Sequence, residues 1–401
     1  MDHVVGRIFA LVYLGMFLGR LPGLALDRTG VALLGAIALI AAGRISTGDA
    51  VGAIDVPTMG LLFGLMVISA QLRLSGFYAW VARKVALARL SPPGLLFLLV
   101  LVAGGLSALL SNDIVCLAMA PVLAEACFRR RLDPVPFLLA LACASNVGSA
   151  ATLIGNPQNM LVGQTLGLSF GRYLAEAVVP SVLGLIATAA VIAFLYRGRW
   201  ERAGAAVAAD EAPLDPWQTA KGLFVIGALV AAFLFAPWPR EVVALAAAGV
   251  VLLSRRMASR RILGLVDGHL ILLFLGLFIV NHAFEETGLA AEGLARLDRM
   301  GIDLREPGWL FATTVVLSNL VSNVPAVMLL LPAAKHEDAG VILALASTFA
   351  GNLLLVGSIA NLIVAEQAAR LGIRITWREH ARVGIPVTVV TLALAALWLA
   401  L

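Results

Sequence analysis

Ser107-Ala-Leu-Leu-Ser111-Asn112 sits in the middle of an apolar run, 94–128, and Ser318-Asn-Leu-Val-Ser322-Asn323 sits in the middle of another, 307–334. A helix crosses the hydrocarbon core with about 20 residues, so both runs are too long for one crossing. A polar Ser-Asn pair at mid-run reads as the turn of a hairpin that enters the membrane and returns. The matches continue outward. Asp55 to Gly76 spans 21 residues, as does Asp267 to Gly288. Asn112 to Pro121 spans nine, as does Asn323 to Pro332. Asn146 to Pro180 spans 34, as does Asn352 to Pro386. Several matches in order, at an offset that drifts only from 212 to 206, indicate an internal duplication.

The composition sets the class. Hydrophobic residues are 61% of the 401 and charged residues 13%, too few charges to cover a soluble protein of this size. The reading is an all-α polytopic membrane protein. A net charge of +5, scattered along the chain, does not suggest nucleic acid. Cys116, Cys127 and Cys143 form no CxxC, so neither a zinc site nor a disulfide framework is expected. No HExxH occurs and no nucleophile–base pair is read from the sequence, so no enzyme activity is expected.

Apolar runs also occur at 8–26, 29–43, 56–72, 134–168, 173–196, 219–239, 241–254, 268–284, 339–368 and 383–401. As one straight helix, 134–168 would reach roughly 50 Å, so a broken helix is expected there, and another over 339–368. The polar stretch 197–218 reads as a linker between a first repeat, 1–196, and a second, 219–401. If the two hairpins do not cross, each repeat crosses five times, and an odd number inverts the second repeat. That assignment puts 21 Lys and Arg on one side and eight on the other. By the positive-inside rule the richer side is cytoplasmic. The linker is then cytoplasmic, both termini lie outside, and the expected location is the inner (plasma) membrane.

The chemistry should lie at the turns and breaks. The side chains of Ser111-Asn112 and Ser322-Asn323 are expected to cap the second arm of each hairpin, whose free N–H groups would form an anion site. Gly155-Asn156-Pro157 reads as a helix stop, an N-cap and a first-turn proline. The matching stretch is Asn352, Gly357-Ser358 and Asn361. Serine hydroxyls, amide oxygens and nearby backbone carbonyls offer hard oxygens to a small cation such as sodium. The expected cation ligands are Ser107, Ser111, Asn112 and the backbone near Gly155, then Ser318, Ser322, Asn323 and the backbone near Gly357. The solute is expected between the tips, on Asn112, Asp113, Asn156, Asn159, Asn323 and Asn361. No cofactor is expected beyond sodium ions.

The stretch Asn146-Val-Gly-Ser-Ala-Ala-Thr-Leu-Ile-Gly-Asn-Pro-Gln-Asn159, the stretch Gly357-Ser-Ile-Ala-Asn361 and the paired Ser-Asn tips resemble the ion transporter superfamily. That group holds divalent-anion/sodium symporters, citrate permeases, arsenite permeases and related sodium/proton antiporters. The resemblance spans essentially the whole chain. It implies coupled transport by an elevator-like movement of the hairpin domain against a scaffold, often in a homodimer. The residue after each Ser-Asn departs from the pattern. Dicarboxylate symporters carry Thr there, whereas this chain has Asp113 and Val324. A carboxylate beside an anion site disfavours a dianion. The expected function is secondary active transport of a small inorganic or carboxylate anion or an oxyanion, coupled to sodium or protons. The alternatives are sodium/proton exchange without an anion, arsenite efflux and, in another class, an ion channel.

Overall fold

The computed structural model describes residues 3–19, 23–201 and 213–401, so the central part of the expected linker, 202–212, lies outside the described residues. The first half holds α1 (His3–Leu18), α2 (Arg28–Ala41), α3 (Thr47–Gly52), α4 (Val56–Leu74), α5 (Phe77–Ala86), α6 (Pro92–Leu109), α7 (Asn112–Arg129), α8 (Pro134–Ser149), α9 (Pro157–Thr165) and α10 (Phe170–Leu195). The second half holds α11 (Pro216–Phe235), α12 (Arg240–Leu252), α13 (Ser259–Leu263), α14 (Gly268–Glu286), α15 (Leu289–Arg299), α16 (Pro307–Val321), α17 (Asn323–Leu330), α18 (Ala339–Ala350), α19 (Ile359–Arg370) and α20 (Trp377–Leu399). The two lists correspond helix for helix. Among the described residues no β-sheet forms; one isolated bridge joins Leu132 to Glu201.

The sequence pairs found above bound matching helices. Asp55 and Asp267 cap α4 and α14 by accepting from the backbone of Thr58 and Leu270. Gly76 and Gly288 follow those helices with φ of 76° and 74°, a backbone that favours glycine. Each turns the chain into a short amphipathic helix, α5 or α15. Six helices among the described residues are long and apolar enough to cross a membrane: α4, α6, α10, α11, α14 and α20.

Every long run splits where a turn or break was expected. Run 94–128 becomes α6 and α7, and run 307–334 becomes α16 and α17 followed by a 3-10 turn, Leu331–Ala333. Run 134–168 breaks between Ser149 and Pro157, and run 339–368 between Ala350 and Ile359.

The packing repeats with exchange of partners. Helix α4 lies on α12 of the other half, and α14 lies on α2. Likewise α7 packs on α19, and α17 on α9. The matched helices α10 and α20 lie side by side and antiparallel. Trp398, at the end of α20, donates to the carbonyl of Glu176 near the start of α10 (2.8 Å). Arg382, near the start of α20, donates to the carbonyl of Leu195 at the end of α10 (3.3 Å). The first hairpin arm, α6, crosses α8 so closely that a Cβ on Gly148 would lie 2.3 Å from the Cα of Gly104.

Candidate functional site

Both tips and both breaks reach one place. A cavity of about 30 Å³ is lined by Asn112, Asp113, Pro157, Gln158, Leu270, Ser322, Asn323, Val324, Ser358 and Ile359. Asn112 and Asp113 open α7, Pro157 and Gln158 open α9, Asn323 and Val324 open α17, and Ile359 opens α19. Four helix N-termini therefore face one small space. Each brings unpaired N–H groups and a partial positive charge. Only the carboxylate of Asp113 among the lining residues opposes them.

The tips are built differently. At the first, Leu110 and Ser111 link α6 to α7, and the N–H of Ser111 donates to the Ser69 hydroxyl (3.4 Å). At the second, Ser322 alone links α16 to α17, with φ 78° and ψ 160°. So tight a link forces a backbone that costs a non-glycine residue on the order of 1–3 kcal/mol. Neither serine side chain caps the following helix, which corrects the capping expected from sequence. An N-cap normally has β-region angles, and the positive φ of Ser322 excludes them. Backbone groups do the work instead. The N–H of Val115 donates to the Ser111 carbonyl (3.1 Å), that of Ala326 to the Ser322 carbonyl (3.1 Å), and that of Asn112 to the Gly155 carbonyl (3.3 Å).

The first break follows its sequence reading. Asn156 is the N-cap of α9 and accepts from the N–H of Asn159 (2.9 Å), with Pro157 in the first turn. At the second break the cap is Ser358, which accepts from the N–H of Ala360 (3.2 Å). A Cβ on Gly155 would lie 2.3 Å from the Ser149 carbonyl oxygen and 2.7 Å from that of Ser107, so only glycine lets the first break reach the first tip.

Side-chain amides tie the breaks together. Asn146 donates to Asn352 (2.8 Å) and Asn361 (3.1 Å), and accepts from Ser358 (2.8 Å) and Asn112 (3.4 Å). Thr348 of α18 meets Asn156 (3.3 Å), Gln158 (3.2 Å) and Asn159 (3.4 Å). Ser107 pairs with Ser145 (2.8 Å), whose hydroxyl also donates to the Asn112 carbonyl (3.0 Å).

Of the residues expected at the solute, Asn112, Asp113 and Asn323 line the cavity. Asn156, Asn159 and Asn361 stand behind it, buried, with their amides engaged by the breaks. Of those expected at the cation, Asn112, Ser322 and Asn323 line the cavity, while Ser107 and Ser318 are fully buried in the first arms. Gly155 contacts the first tip through its carbonyl, and Gly357 ends the 3-10 turn before Ser358. Four buried oxygens here have no hydrogen-bond partner among the described residues: Asn112 Oδ1, Ser318 Oγ, Asn319 Oδ1 and Asn323 Oδ1. Orphaned acceptors are rare in folded proteins, and these four cluster at the tips and the arm before the second one. Asn319 was missed from sequence. It lies between the two matched serines, and a Cβ on Gly357 would come within 3.2 Å of its Oδ1. Ser69, Ser149 and Thr348 were also missed, since single hydroxyls in apolar helices carry no spacing signal.

Comparison with known proteins places the chain. The profile of the citrate transporter family (CitMHS) matches residues 13–350. An uncharacterized transporter of Mycobacterium tuberculosis is 31% identical over 100% of this chain and 98% of its own length. The silicon efflux transporter LSI3 of Oryza sativa subsp. japonica is 29% identical over 98% of this chain and 96% of its own. The crystal structure of the Alcanivorax borkumensis YdaH transporter superposes with a TM-score of 0.60 over 98% of this chain and 96% of that one, at 16% identity, a likeness of fold. The chain therefore belongs to the citrate transporter family, and it is a multi-pass membrane transporter, not an enzyme.

Proposed function

We propose that the protein is a secondary active transporter that moves a small anion or oxyanion across the inner membrane, coupled to sodium or protons. The carrying observation is the cavity on which four half-helices begin, since aligned N-termini favour negative charge. The unpartnered oxygens supply the second half of the chemistry. Asn112 Oδ1 with the Gly155 backbone is offered to one cation, and Asn323 Oδ1, Ser318 Oγ and Asn319 Oδ1, the last of them beside Gly357, to another. Cation and anion, held side by side, neutralise each other. Each is then less costly to carry through a low-dielectric layer, which is the physical basis of symport.

The repeats are read as inverted, with one hairpin entering from each face. The antiparallel packing of the matched helices α10 and α20 supports this. The cavity of about 30 Å³ holds little more than an ion or a water molecule. A larger solute requires the arms α7, α9, α17 and α19 to separate from the frame that contributes Leu270. That separation fits elevator-like alternating access in a homodimer. The rice relative's name favours an oxyanion or its acid over a tricarboxylate, as does Asp113 at the cavity wall. Asp113 also favours a second reading, sodium/proton exchange with no anion.

The test is uptake into proteoliposomes from a panel of citrate, phosphate, sulfate, arsenite and silicate, under sodium and proton gradients. Asn112→Ala and Asn323→Ala should each cut uptake about 100-fold, since each removes an amide at a tip and leaves its partners unpaired in a site without water. Undiminished uptake in both variants contradicts the site. Sodium-driven proton movement with every anion omitted would select the exchange reading.

A further inference from the structure

Each break ends a half-helix whose last carbonyls lack helical partners. Two side chains at corresponding places supply them. Ser169 caps α10 and Thr376 caps α20. Four residues after each cap stand Tyr173 and His380, both 1% exposed. Tyr173 donates its hydroxyl proton to the carbonyl of Ala150, directly after α8 (2.7 Å), and accepts from Asn159 (3.0 Å). His380 Nε2 lies 3.0 Å from the carbonyl of Asn352, just after α18. A carbonyl only accepts, so Nε2 carries the proton. Gly384 makes room for this contact, because a Cβ there would lie 2.3 Å from the same carbonyl oxygen.

The imidazole is linked to the site through buried amides. The side chain of Asn352 accepts from Asn146, and Asn146 accepts from Asn112 and Ser358, both of which line the cavity. We propose that Tyr173 and His380 are matched positioning residues, each pinning one break, and that His380 makes the second break respond to protons where Tyr173 leaves the first indifferent. An imidazolium buried here, with no carboxylate beside it, loses more hydration than one charge-assisted bond to the Asn352 carbonyl returns. Acid therefore loosens the second break.

The surroundings leave this bond undisturbed by other charge. Helix α20 packs on α10, α18, α8 and the 3-10 turn Leu355–Gly357. Helix α18 and that turn carry no titratable side chain, and α8 carries only Cys143, whose carbonyl accepts from Asn352. On α10, Arg172 and Glu176 pair with each other at the end that faces Trp398, and Tyr173 is the other pin. On α20 itself, Arg378 is exposed, Glu379 is turned back to cap Thr376, and Arg382 lies over the Tyr196 ring.

The role at the solute rests on the transporter reading; the pinning itself does not, and hydrogen exchange of the full chain in lipid nanodiscs tests it without any solute. His380→Leu should speed exchange at 351–358 about tenfold, as expected for loss of one buried hydrogen bond, and leave 150–156 unchanged. Tyr173→Phe should do the reverse. His380→Gln, which keeps a donor near Nε2 and cannot titrate, should restore the wild-type rate. After correction for intrinsic chemistry, wild-type protection at 351–358 should rise from pH 5 to pH 7, with 150–156 flat and the Gln variant flat at both. Unchanged exchange in His380→Leu overturns the pin. A flat wild-type profile, or a slope kept by His380→Gln, overturns the proton response.

Discussion

Asn146→Leu should cost about 3 kcal/mol of stability and at least about 100-fold in transport. Four hydrogen bonds meet on this one amide, at Asn112, Asn352, Ser358 and Asn361. Interhelical hydrogen bonds in membranes average only about 0.6 kcal/mol and reach about 1.7. Four together give roughly the stated loss, and polar groups left unpaired in a dry interior push it upward. Leucine keeps the branched shape and is larger than asparagine, so no cavity adds to the effect. The functional loss should exceed the structural one, because Asn146 is where the first tip, the first break and the second break are held in register. Thermal unfolding in detergent measures the first number and proteoliposome uptake the second. A variant that unfolds like the wild type would mean that these bonds exchange freely with other partners.

Gly148→Ala should be as damaging to stability, for a different reason. The added methyl would meet backbone, 2.3 Å from both the Cα and the carbonyl oxygen of Gly104, with no flexible side chain to give way. Overpacking of this kind costs typically 1–3 kcal/mol, and rigid backbone on both sides puts this site at about 3. The crossing of α6 and α8 must open, and the first tip moves with α6. Gly105→Ala is the matched control. It lies next to the crossing, but a Cβ there meets nothing within 4 Å. Replacing glycine within a helix then gains up to about 1 kcal/mol. Melting temperatures that fall for Gly148→Ala and hold or rise for Gly105→Ala are the expected pattern. Equal shifts would show that the close crossing is unimportant.

How much could be read from the chain depended on whether a feature is local. Asp55 and Gly76 bound α4 through a side-chain cap and a positive φ, both set by neighbours in sequence, and the same holds for Asp267 and Gly288. Gly155-Asn156-Pro157 is likewise a local stop and start. The Ser-Asn turns were legible as turns because no other feature explains polar residues in mid-run. Their local geometry was not, since one tip uses a two-residue link and the other a single serine with positive φ. Helices α2 and α12, of 14 and 13 residues, were legible only as apolar runs. Least legible was the sorting of the asparagines. Asn112 and Asn323 line the cavity while Asn156, Asn159 and Asn361 hold the breaks behind it. That division depends on Thr348, which lies 189 positions or more from its partners, and on Asn352, which lies 206 from Asn146. No window of sequence carries such pairings, and a single Thr in an apolar helix reads the same with or without them.

On the transport reading proposed above, two hairpin tips come from opposite faces of the membrane to one shared site, and the sidedness of the hairpin bases decides it. The native cysteines are buried, whereas Arg89, just before α6, and Lys335, just after the 3-10 turn that follows α17, are exposed. Arg89→Cys and Lys335→Cys, each labelled in sealed right-side-out vesicles with a membrane-impermeant maleimide, should respond oppositely. Cysteine at 335 should label at once and cysteine at 89 only after permeabilisation, with the order reversed in inside-out vesicles. Labelling of both from the same face would place both hairpins on one side and contradict the account.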